Sequence, residues 1–396
     1  MFFRKDKKTA EQKPLPAWRQ WFNALVFAVI VATPFRMFIF EAYAIPTGSM
    51  EGTLLIGDRL YVSKMAYGAR IPMTPVAIPL VHNEMPLVGG KSYTDAVQWK
   101  YRRLPGFGKV ERNDIVVFNG PEGDTALKEQ PDINYYQACR AMGRDAVLAN
   151  YTIVTHPVDK KENLVKRCVG LPGDVLEMRN AQLYVNGKLE KLYPYAKHHY
   201  IVTTNGNRPA VDEDMEMKQP ISNNTYLYNL SNEEVAQMRK APNVISAKLY
   251  TKYAAGVAPE APQEFIFPLD PQHFNWNADN MGPLKVPKAG ATVHLTPQNI
   301  ALYRRIIANY EGNKLEERAG RIFINGKEAN AYTFKMDYYW MMGDNRHESL
   351  DSRYWGFVPE DHIVGQPKLV WLSFGEGGLT DMRWDRLMRG IEALEK

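Results

Sequence analysis

The chain has 396 residues, of which 45% are hydrophobic, enough for one large domain or two ordinary ones with a sizeable core. Its formal net charge is only +5, so the charge balance does not indicate a nucleic-acid-binding surface. Its only cysteines, Cys139 and Cys168, lie in neither a CxxC motif nor a Cys/His cluster. This argues against a disulfide scaffold or a structural zinc site, and a single bridge between the two stays open.

The first predicted element is a membrane anchor. Residues 18–40 form an apolar run of 23 residues, which as a helix would span about 34 Å, against about 30 Å for a bilayer core. Basic residues dominate before this run, whereas Glu41, Glu51 and Asp58 follow it. Because the more positive flank stays in the cytoplasm, the pattern predicts a cytoplasmic basic tail at 1–17 and an exported part after Phe40.

A cleavable secretory signal is the alternative interpretation of this N-terminus. Ala42, Tyr43 and Ala44 have the small-x-small pattern found at the cleavage sites of such signals. The apolar stretch exceeds the usual signal core of about 7 to 15 residues, and cleavage would fall two residues before Pro46. An uncleaved anchor is therefore the prediction, and self-cleavage at this motif is left open.

Short β-branched or aromatic runs predict a mainly β exported part. No second run of about 18 apolar residues follows the anchor, so this part is expected to be soluble. Pairs such as Asn186-Gly187 and Asn325-Gly326 suit tight hairpins. The predicted strands are 59–62, 114–118, 164–169, 175–178, 182–185, 321–324 and 369–374.

Composition divides the exported part into a β core and an insertion. Residues 188–335 mix prolines and polar residues with two helix-like stretches, 232–239 and 297–310. We interpret this segment as an insertion or second lobe. The β core would then consist of residues 41–187 and 336–396.

The last stretch, 380–396, carries apolar residues at helical spacing: Leu387, Met388, Ile391 and Leu394. The spacing favours packing on the domain, and lying on the membrane surface is the alternative.

A serine lies just past the predicted anchor, in the sequence IPTGSMEGTL at 45–54. A serine beside glycine is usually only a turn residue. Nine residues separate Ser49 from Phe40, and an extended chain covers about 3.5 Å per residue, so its hydroxyl would lie within roughly 30 Å of the bilayer. A substrate in the membrane could reach it there.

A serine hydroxyl becomes a good nucleophile only when a neighbouring base removes its proton. The eight histidines are scattered and match no catalytic motif. Lys166 lies inside the apolar run NLVKRCVG at 163–170, and burial there would lower its pKa from about 10.4. Lys166 is therefore the candidate base, with a lysine on an edge strand that discourages aggregation as the alternative.

A third segment, GDNRHESLDSRYWG at 343–356, is dense with hydrogen-bonding side chains. Taken alone, it would be a turn followed by a surface ion pair. Together, the three segments resemble bacterial type I signal peptidase, the serine/lysine enzyme that removes signal peptides. The matching blocks, in the family's order after an N-terminal anchor, are IPTGSMEGTL, NDIVVF (113–118), LVKRCVGLPGD (164–174) and GDNRHESLDSRYWG.

The resemblance implies a signal-peptidase-type antiparallel β catalytic domain, mainly β, with one N-terminal transmembrane helix and a large inserted lobe. It implies that Ser49 is the nucleophile, Lys166 the general base and Ser349 a residue that orients the lysine. Thr47, where the family more often has serine, would form the oxyanion hole with the backbone N–H of Ser49. The blocks cover about a tenth of the chain and leave 70–110, 119–160 and the insertion unexplained.

Further implied residues bind substrate or support the site. The apolar pockets for small residues at −1 and −3 of the substrate would be lined by Ile45, Pro46, Met50, Leu54, Leu164 and Val165. Asp344, Asp351 and Arg353 would hold the loop that carries Ser349. No set of residues in the sequence indicates a cofactor or a metal.

The implied partners are exported preproteins and membrane lipid, with the secretion translocon as a further candidate and no nucleic acid. The implied location is the bacterial inner membrane, with a single span, a cytoplasmic N-terminus and the catalytic domain on the periplasmic side. Two other functions stay open. One is a self-cleaving serine/lysine regulator, although no DNA-binding module precedes the serine, and the other is an exported binding protein or inactive relative.

Overall fold

The computed structural model describes residues 16–79, 81–83, 85, 90–122, 125–130, 135–190, 193–209, 211, 215–375 and 377–395. Residues 1–15 of the predicted basic tail lie outside the described residues.

The predicted anchor forms a helix, α1 (Ala17–Phe38), whose 22 residues span about 33 Å. Among the described residues, it is the one helix long and apolar enough to cross a membrane. Its apolar side chains project away from the rest of the molecule, as with Trp21 and Phe27. Apolar side chains exposed along a helix fit a lipid environment, so the helix fits a membrane-anchored protein.

The rest of the described chain is mainly β, as predicted, and its strand pairings are antiparallel. The strands are Phe40–Ala44 (β1), Asp58–Ser63 (β2), Ile115–Asn119 (β3), Thr125–Leu127 (β4), Ile153–Thr155 (β5), Asn163–Gly170 (β6), Val175–Arg179 (β7), Gln182–Val185 (β8), Lys188–Leu189 (β9), His198–Thr204 (β10), Glu216–Ser222 (β11), Thr225–Leu230 (β12), Val244–Leu249 (β13), Met281–Lys285 (β14), Thr292–His294 (β15), Leu315–Arg318 (β16), Arg321–Ile324 (β17), Lys327–Glu328 (β18), Ala331–Thr333 (β19), Tyr338–Met342 (β20), Val358–Pro359 (β21), Ile363–Ser373 (β22) and Arg389–Gly390 (β23).

The remaining α-helices of the described residues are short. They are Tyr135–Met142 (α2), Arg144–Asn150 (α3), Asn232–Met238 (α4), Ile300–Arg305 (α5), Ser352–Trp355 (α6) and Ile391–Leu394 (α7). Each predicted strand overlaps an observed strand, and both predicted helix-like stretches contain helix. The Asn-Gly turns also form as predicted, since Asn186, Gly187, Asn325 and Gly326 all have the positive φ that tight hairpin turns require.

The largest sheet brings together the sequence blocks that carry the predicted site. Its strand order is β1-β2-β22-β3-β6-β20-β21, with β23 added to β22. In this order β3 pairs with β6 so that Val116 lies opposite Lys166. On the other side β6 pairs with β20, which leads into the loop that begins at Gly343. The strand that carries Lys166 is thus held between two neighbours.

Residues 188–335, the predicted insertion and below called the inserted segment, contain a four-stranded sheet, β11-β12-β10-β13, with a core that includes Val202, Tyr228 and Leu230. Another of its strands, β14, pairs with β7 and joins the sheet β14-β7-β8-β9. The division of the chain at residues 188 and 335 stays a prediction.

In the described part of the C-terminal stretch, α7 is the one α-helix, and Trp384–Arg386 form a 3-10 turn. Met388 has a φ of +53°, and Arg389–Gly390 pair with β22, which interrupts the helical spacing. Ile391 packs against the core cluster of Ile45 and Met50, so this part packs on the domain as predicted. Both cysteines are free thiols, and the bridge that the sequence left open is not formed.

Candidate active site

Ser49 lies in a short 3-10 turn, Gly48–Met50, which begins after a three-residue link from the end of β1. The turn rests on buried apolar side chains, because Ile45, Met50 and Leu54 belong to one core cluster. Ser49 itself is largely buried at the edge of this cluster. The apolar positions on both sides of the serine therefore fix its place above the core.

Lys166 reaches Ser49 from β6. Its Nζ lies 2.5 Å from the Oγ of Ser49, and its side chain is 5% exposed. Burial lowers the pKa of Lys166 to about 8, although the carboxylates of Asp351 and Asp344 act to raise it. Since β6 lies between β3 and β20, the alternative of an edge-strand lysine is wrong.

Two buried ion pairs lie beside the serine and the lysine. The guanidinium of Arg167 donates to both carboxylate oxygens of Asp344, at 2.7 and 2.7 Å, and the hydroxyl of Thr53 donates to the same carboxylate at 2.7 Å. Arg353 donates to both oxygens of Asp351, at 2.8 and 2.8 Å. Burial alone would raise the pKa of each carboxyl, but the facing guanidinium lowers it, so both are ionised.

The loop that follows β20 is attached to the backbone of the nucleophile. The N–H of Asn345 donates to the carbonyl of Ser49 at 3.2 Å, and its side-chain amide donates to the carbonyl of Gly48 at 3.3 Å. Any side chain on Gly343 would collide with the carbonyl of Ser49 and with the hydroxyl of Ser349. Glycine at 343 is therefore required for the close approach of the two segments.

The two predicted supporting hydroxyls lie close to the nucleophile in different ways. Thr47 is exposed, and its Oγ1 lies 3.5 Å from the Oγ of Ser49. Ser349 is buried and donates to the carbonyl of Leu350 at 3.4 Å. A hydrogen bond from Ser349 to Lys166 is not among those of the described residues, so its orienting role stays a prediction.

The predicted substrate-pocket residues lie in three different surroundings. Ile45, Met50, Leu54 and Val165 pack in one cluster beneath Ser49. Leu164 belongs to the cluster on the opposite face of β6, as expected for adjacent residues of a strand. Pro46 is exposed beside Thr47.

Sequence reasoning missed Arg167, Asn345 and Asn229. Arg167 is fully buried, and an arginine inside an apolar strand was a signal that a buried carboxylate faces it. Asn229, on β12 of the inserted segment, donates to the side-chain oxygen of Asn345 at 3.2 Å. No local pattern links Asn229 to the site. Among the described residues, no cluster of three or more His, Cys, Asp or Glu side chains could hold a metal ion.

Comparison with known proteins shows which family this sequence resembles. A family model described as signal peptidase, peptidase S26, matches residues 18–237 and 274–372, which include Ser49, Lys166 and the loop after β20. Signal peptidase I of Buchnera aphidicola subsp. Acyrthosiphon pisum is 23% identical over 86% of this chain and 70% of its own length. Signal peptidase I of Pseudomonas aeruginosa is 22% identical over 95% of this chain and 79% of its own length. Signal peptidase I of Helicobacter pylori is 23% identical over 95% of this chain and 92% of its own length. Because the family model matches well over half of the sequence, the chain belongs to the signal peptidase family, peptidase S26.

Proposed function

We propose that this chain is a membrane-bound serine endopeptidase that removes N-terminal signal peptides from exported preproteins, with Ser49 as nucleophile and Lys166 as general base. Membership of the signal peptidase family supports the substrate class. The observation that carries the mechanism is the 2.5 Å separation between Nζ of Lys166 and Oγ of Ser49. Burial of the lysine supports the assignment, because a lowered pKa makes the neutral amine available.

In the proposed reaction, neutral Lys166 accepts the proton of the Ser49 hydroxyl while Oγ attacks the scissile carbonyl. The Lys166 ammonium then donates that proton to the leaving amine, and an ester between the signal peptide and Ser49 remains. Water attacks this ester, with Lys166 again accepting a proton, and hydrolysis restores the serine. Ser349 would orient the lysine during both steps.

The negative charge on the tetrahedral intermediate would be stabilised by two donors, the backbone N–H of Ser49 and the hydroxyl of Thr47. The 3.5 Å distance between the Thr47 and Ser49 hydroxyl oxygens supports this assignment, since an oxyanion forms next to the attacking oxygen. A threonine provides the same donor as the serine that is more common in the family.

Cleavage after small-x-small sequences is proposed from the apolar surroundings of Ser49. Ile45, Met50, Leu54 and Val165 pack closely in one cluster, and shallow apolar pockets formed above them would exclude large side chains. Pro46 and Leu164 complete the proposed set. Discrimination by size alone suits alanine at −1 and −3.

Residues 18–40 are proposed to anchor the protein in the bacterial inner membrane, with the basic tail in the cytoplasm and Ser49 on the periplasmic side. The length and apolar surface of α1 support an anchor, and the basic residues before it support this orientation. Exported preproteins and membrane lipid are the proposed partners, and the secretion translocon is a further candidate.

The test is cleavage of a purified preprotein by the full chain in detergent. We expect Ser49→Ala and Lys166→Ala each to lower the rate by at least about a thousandfold, because removal of either group stops nucleophilic attack. Ser222→Ala and Lys327→Ala provide matched controls, since both residues are exposed on the inserted segment. A folded Ser49→Ala or Lys166→Ala variant that cleaves at the wild-type rate would contradict the mechanism.

A further inference from the structure

A cavity of about 370 Å³ lies beside the C-terminal end of α1. Thr33, Arg36 and Met37 border it from the last turns of the helix, and Arg70 and Lys160 border it from the β body. With α1 spanning the membrane, as proposed above, its last turns lie where the hydrocarbon meets the headgroups. We call this space, at the depth of phospholipid headgroups, the interfacial cavity.

Positive charge exceeds negative charge around the interfacial cavity. Its charged lining consists of the cations Arg36, Lys64, Arg70 and Lys160 and the carboxylates Glu41 and Asp159. Glu41 faces two of these cations, with Arg36 and Lys64 each 2.7 Å from it. The single carboxylate of Glu41 therefore forms ion pairs with two cations and can neutralise only one positive charge.

The second carboxylate is engaged by neutral donors. Asp159 accepts hydrogen bonds from the N–H groups of Met73 and Thr74 and from the Thr74 hydroxyl, at 2.9, 2.8 and 2.6 Å. Arg70 donates to neutral acceptors, the carbonyl of Asp361 and the side-chain oxygen of Asn119, at 2.6 and 2.7 Å. Within the part of the chain that the structure describes, Arg70 forms no ion pair with a carboxylate.

Lys160 is the most unusual group in the cavity wall. Its side chain is 9% exposed, and within the described ranges its ammonium forms no ion pair and lies 5.4 Å above the ring of Tyr93. Burial lowers the pKa of Lys160. The hydroxyl of Thr33 also lacks a hydrogen-bond partner among the described residues. Buried polar groups left unpaired are costly, and an anionic ligand would offset that cost.

We propose that the interfacial cavity binds the phosphodiester headgroup of an anionic phospholipid from the membrane around α1. Phosphate oxygens accept charge-assisted hydrogen bonds from lysine and arginine. A phosphodiester carries one negative charge and would provide the anionic partner that Lys160 does not have among the described residues. Apolar residues on the same wall, Met37, Ile78 and Val81, can contact the glycerol and the first methylene groups. An apolar signal-peptide core would supply no negative charge to Arg70 and Lys160, which form no ion pair within the described residues.

Such a lipid would connect the membrane helix to the strand that carries Lys166 and to the strand that precedes Ser49. Lys160 precedes β6, the strand of Lys166, and Glu41 lies on β1, which leads to Ser49. The inference rests on the proposed membrane anchor but not on the proposed chemistry. Its test can therefore fail while cleavage is intact.

The test is native mass spectrometry of the full chain in detergent with equimolar phosphatidylglycerol and phosphatidylcholine. We expect the wild-type chain to retain phosphatidylglycerol in preference to phosphatidylcholine. Lys160→Gln should retain about fivefold less phosphatidylglycerol, because one basic group near an anionic lipid is lost. Lys160→Arg should restore the retention. Lys64→Gln is a second variant with the same expected direction. Lys327→Gln, which changes an exposed lysine on the inserted segment, should retain the lipid fully.

Equal retention by wild type and Lys160→Gln, or equal retention of the two lipids, would overturn the proposal. Displacement of the lipid by inorganic phosphate at the same concentration would identify free phosphate as the ligand, and displacement by a signal peptide would identify a peptide site. Cleavage of a soluble peptide by the same samples is measured in parallel. Wild type that retains the lipid but cleaves nothing would contradict the proposed function alone.

Discussion

At the scale of single residues, the protonation of Lys166 results from opposing effects of unequal size. Burial lowers its pKa, and the nearby carboxylates of Asp351 and Asp344 raise it only in part, which leaves a pKa of about 8. At pH 7 about one lysine in ten is then neutral, compared with about one in three thousand for a free lysine. This difference is what makes lysine usable as a base.

Thr47 tests the proposed oxyanion hole. We expect Thr47→Val, which keeps the shape but removes the hydroxyl, to lower kcat by about a hundredfold, because one donor to the oxyanion is lost. Thr47→Ser keeps the donor and should retain near-wild-type kcat. Steady-state kinetics with a preprotein substrate measure both variants. A kcat for Thr47→Val equal to that of wild type would exclude the hydroxyl from transition-state stabilisation.

The sequence supports prediction of site residues only where the signal is local. Lys166 could be singled out because it interrupts an apolar run, and its surroundings in the strand already indicate burial. The partner of Arg167 could not be identified in this way. Asp344 lies 177 residues further along the chain, and only the pairing of β6 with β20 brings the two together.

At the scale of elements, the inserted segment contacts the loop that holds the nucleophile. Asn229 on β12 donates to Asn345, and Asn345 in turn donates to the backbone of Gly48 and Ser49. Gly52, just after the nucleophile, has a φ of +102°, and any side chain there would collide with the carbonyl of Tyr195. The segment that the family blocks left unexplained therefore supports the position of Ser49.

Removal of this support should slow the reaction. We expect Asn229→Ala to lower kcat about tenfold with little change in KM, because loss of one hydrogen bond loosens the serine but leaves the apolar pocket intact. The exposed Asn223 on the same segment provides the control, and Asn223→Ala should match wild type. Steady-state kinetics of preprotein cleavage give kcat and KM for each variant.

A double-mutant cycle separates this role from a general loss of stability. If Asn229 acts through Asn345, the double variant with alanine at both positions should be no slower than Asn345→Ala alone. Fully additive losses, or a fall in kcat that tracks only the thermal stability of the variants, would contradict the positioning role.

Elements were predicted more completely than their arrangement. The Asn-Gly hairpins and the apolar strands follow from turn chemistry and residue type within a few positions, so they could be predicted locally. The C-terminal stretch shows where prediction from local sequence patterns fails. Its helical spacing is broken because Met388 adopts positive φ and the next two residues pair with β22, a contact with a distant strand.

At the scale of the whole molecule, one apolar helix precedes an antiparallel β body in which Ser49 follows the first strand. The membrane-spanning helix could be predicted from length and composition, since few structures other than a membrane span contain an uninterrupted apolar run of about 20 residues. The sheet order, in which β22 lies between β2 and β3, could not, because it depends on pairings between segments far apart in sequence. This strand order places β6, which carries Lys166, between β3 and β20.

The central claim is that a buried, neutral Lys166 removes the proton of Ser49. The pH dependence of kcat/KM for the wild-type chain tests it most directly, because this parameter reports the ionisation of the free enzyme. Because the neutral amine is the active form, the account predicts a rate that rises with pH and levels off above an apparent pKa of about 8. A rising limb centred near pH 10.5, the value of a solvated lysine, would contradict it.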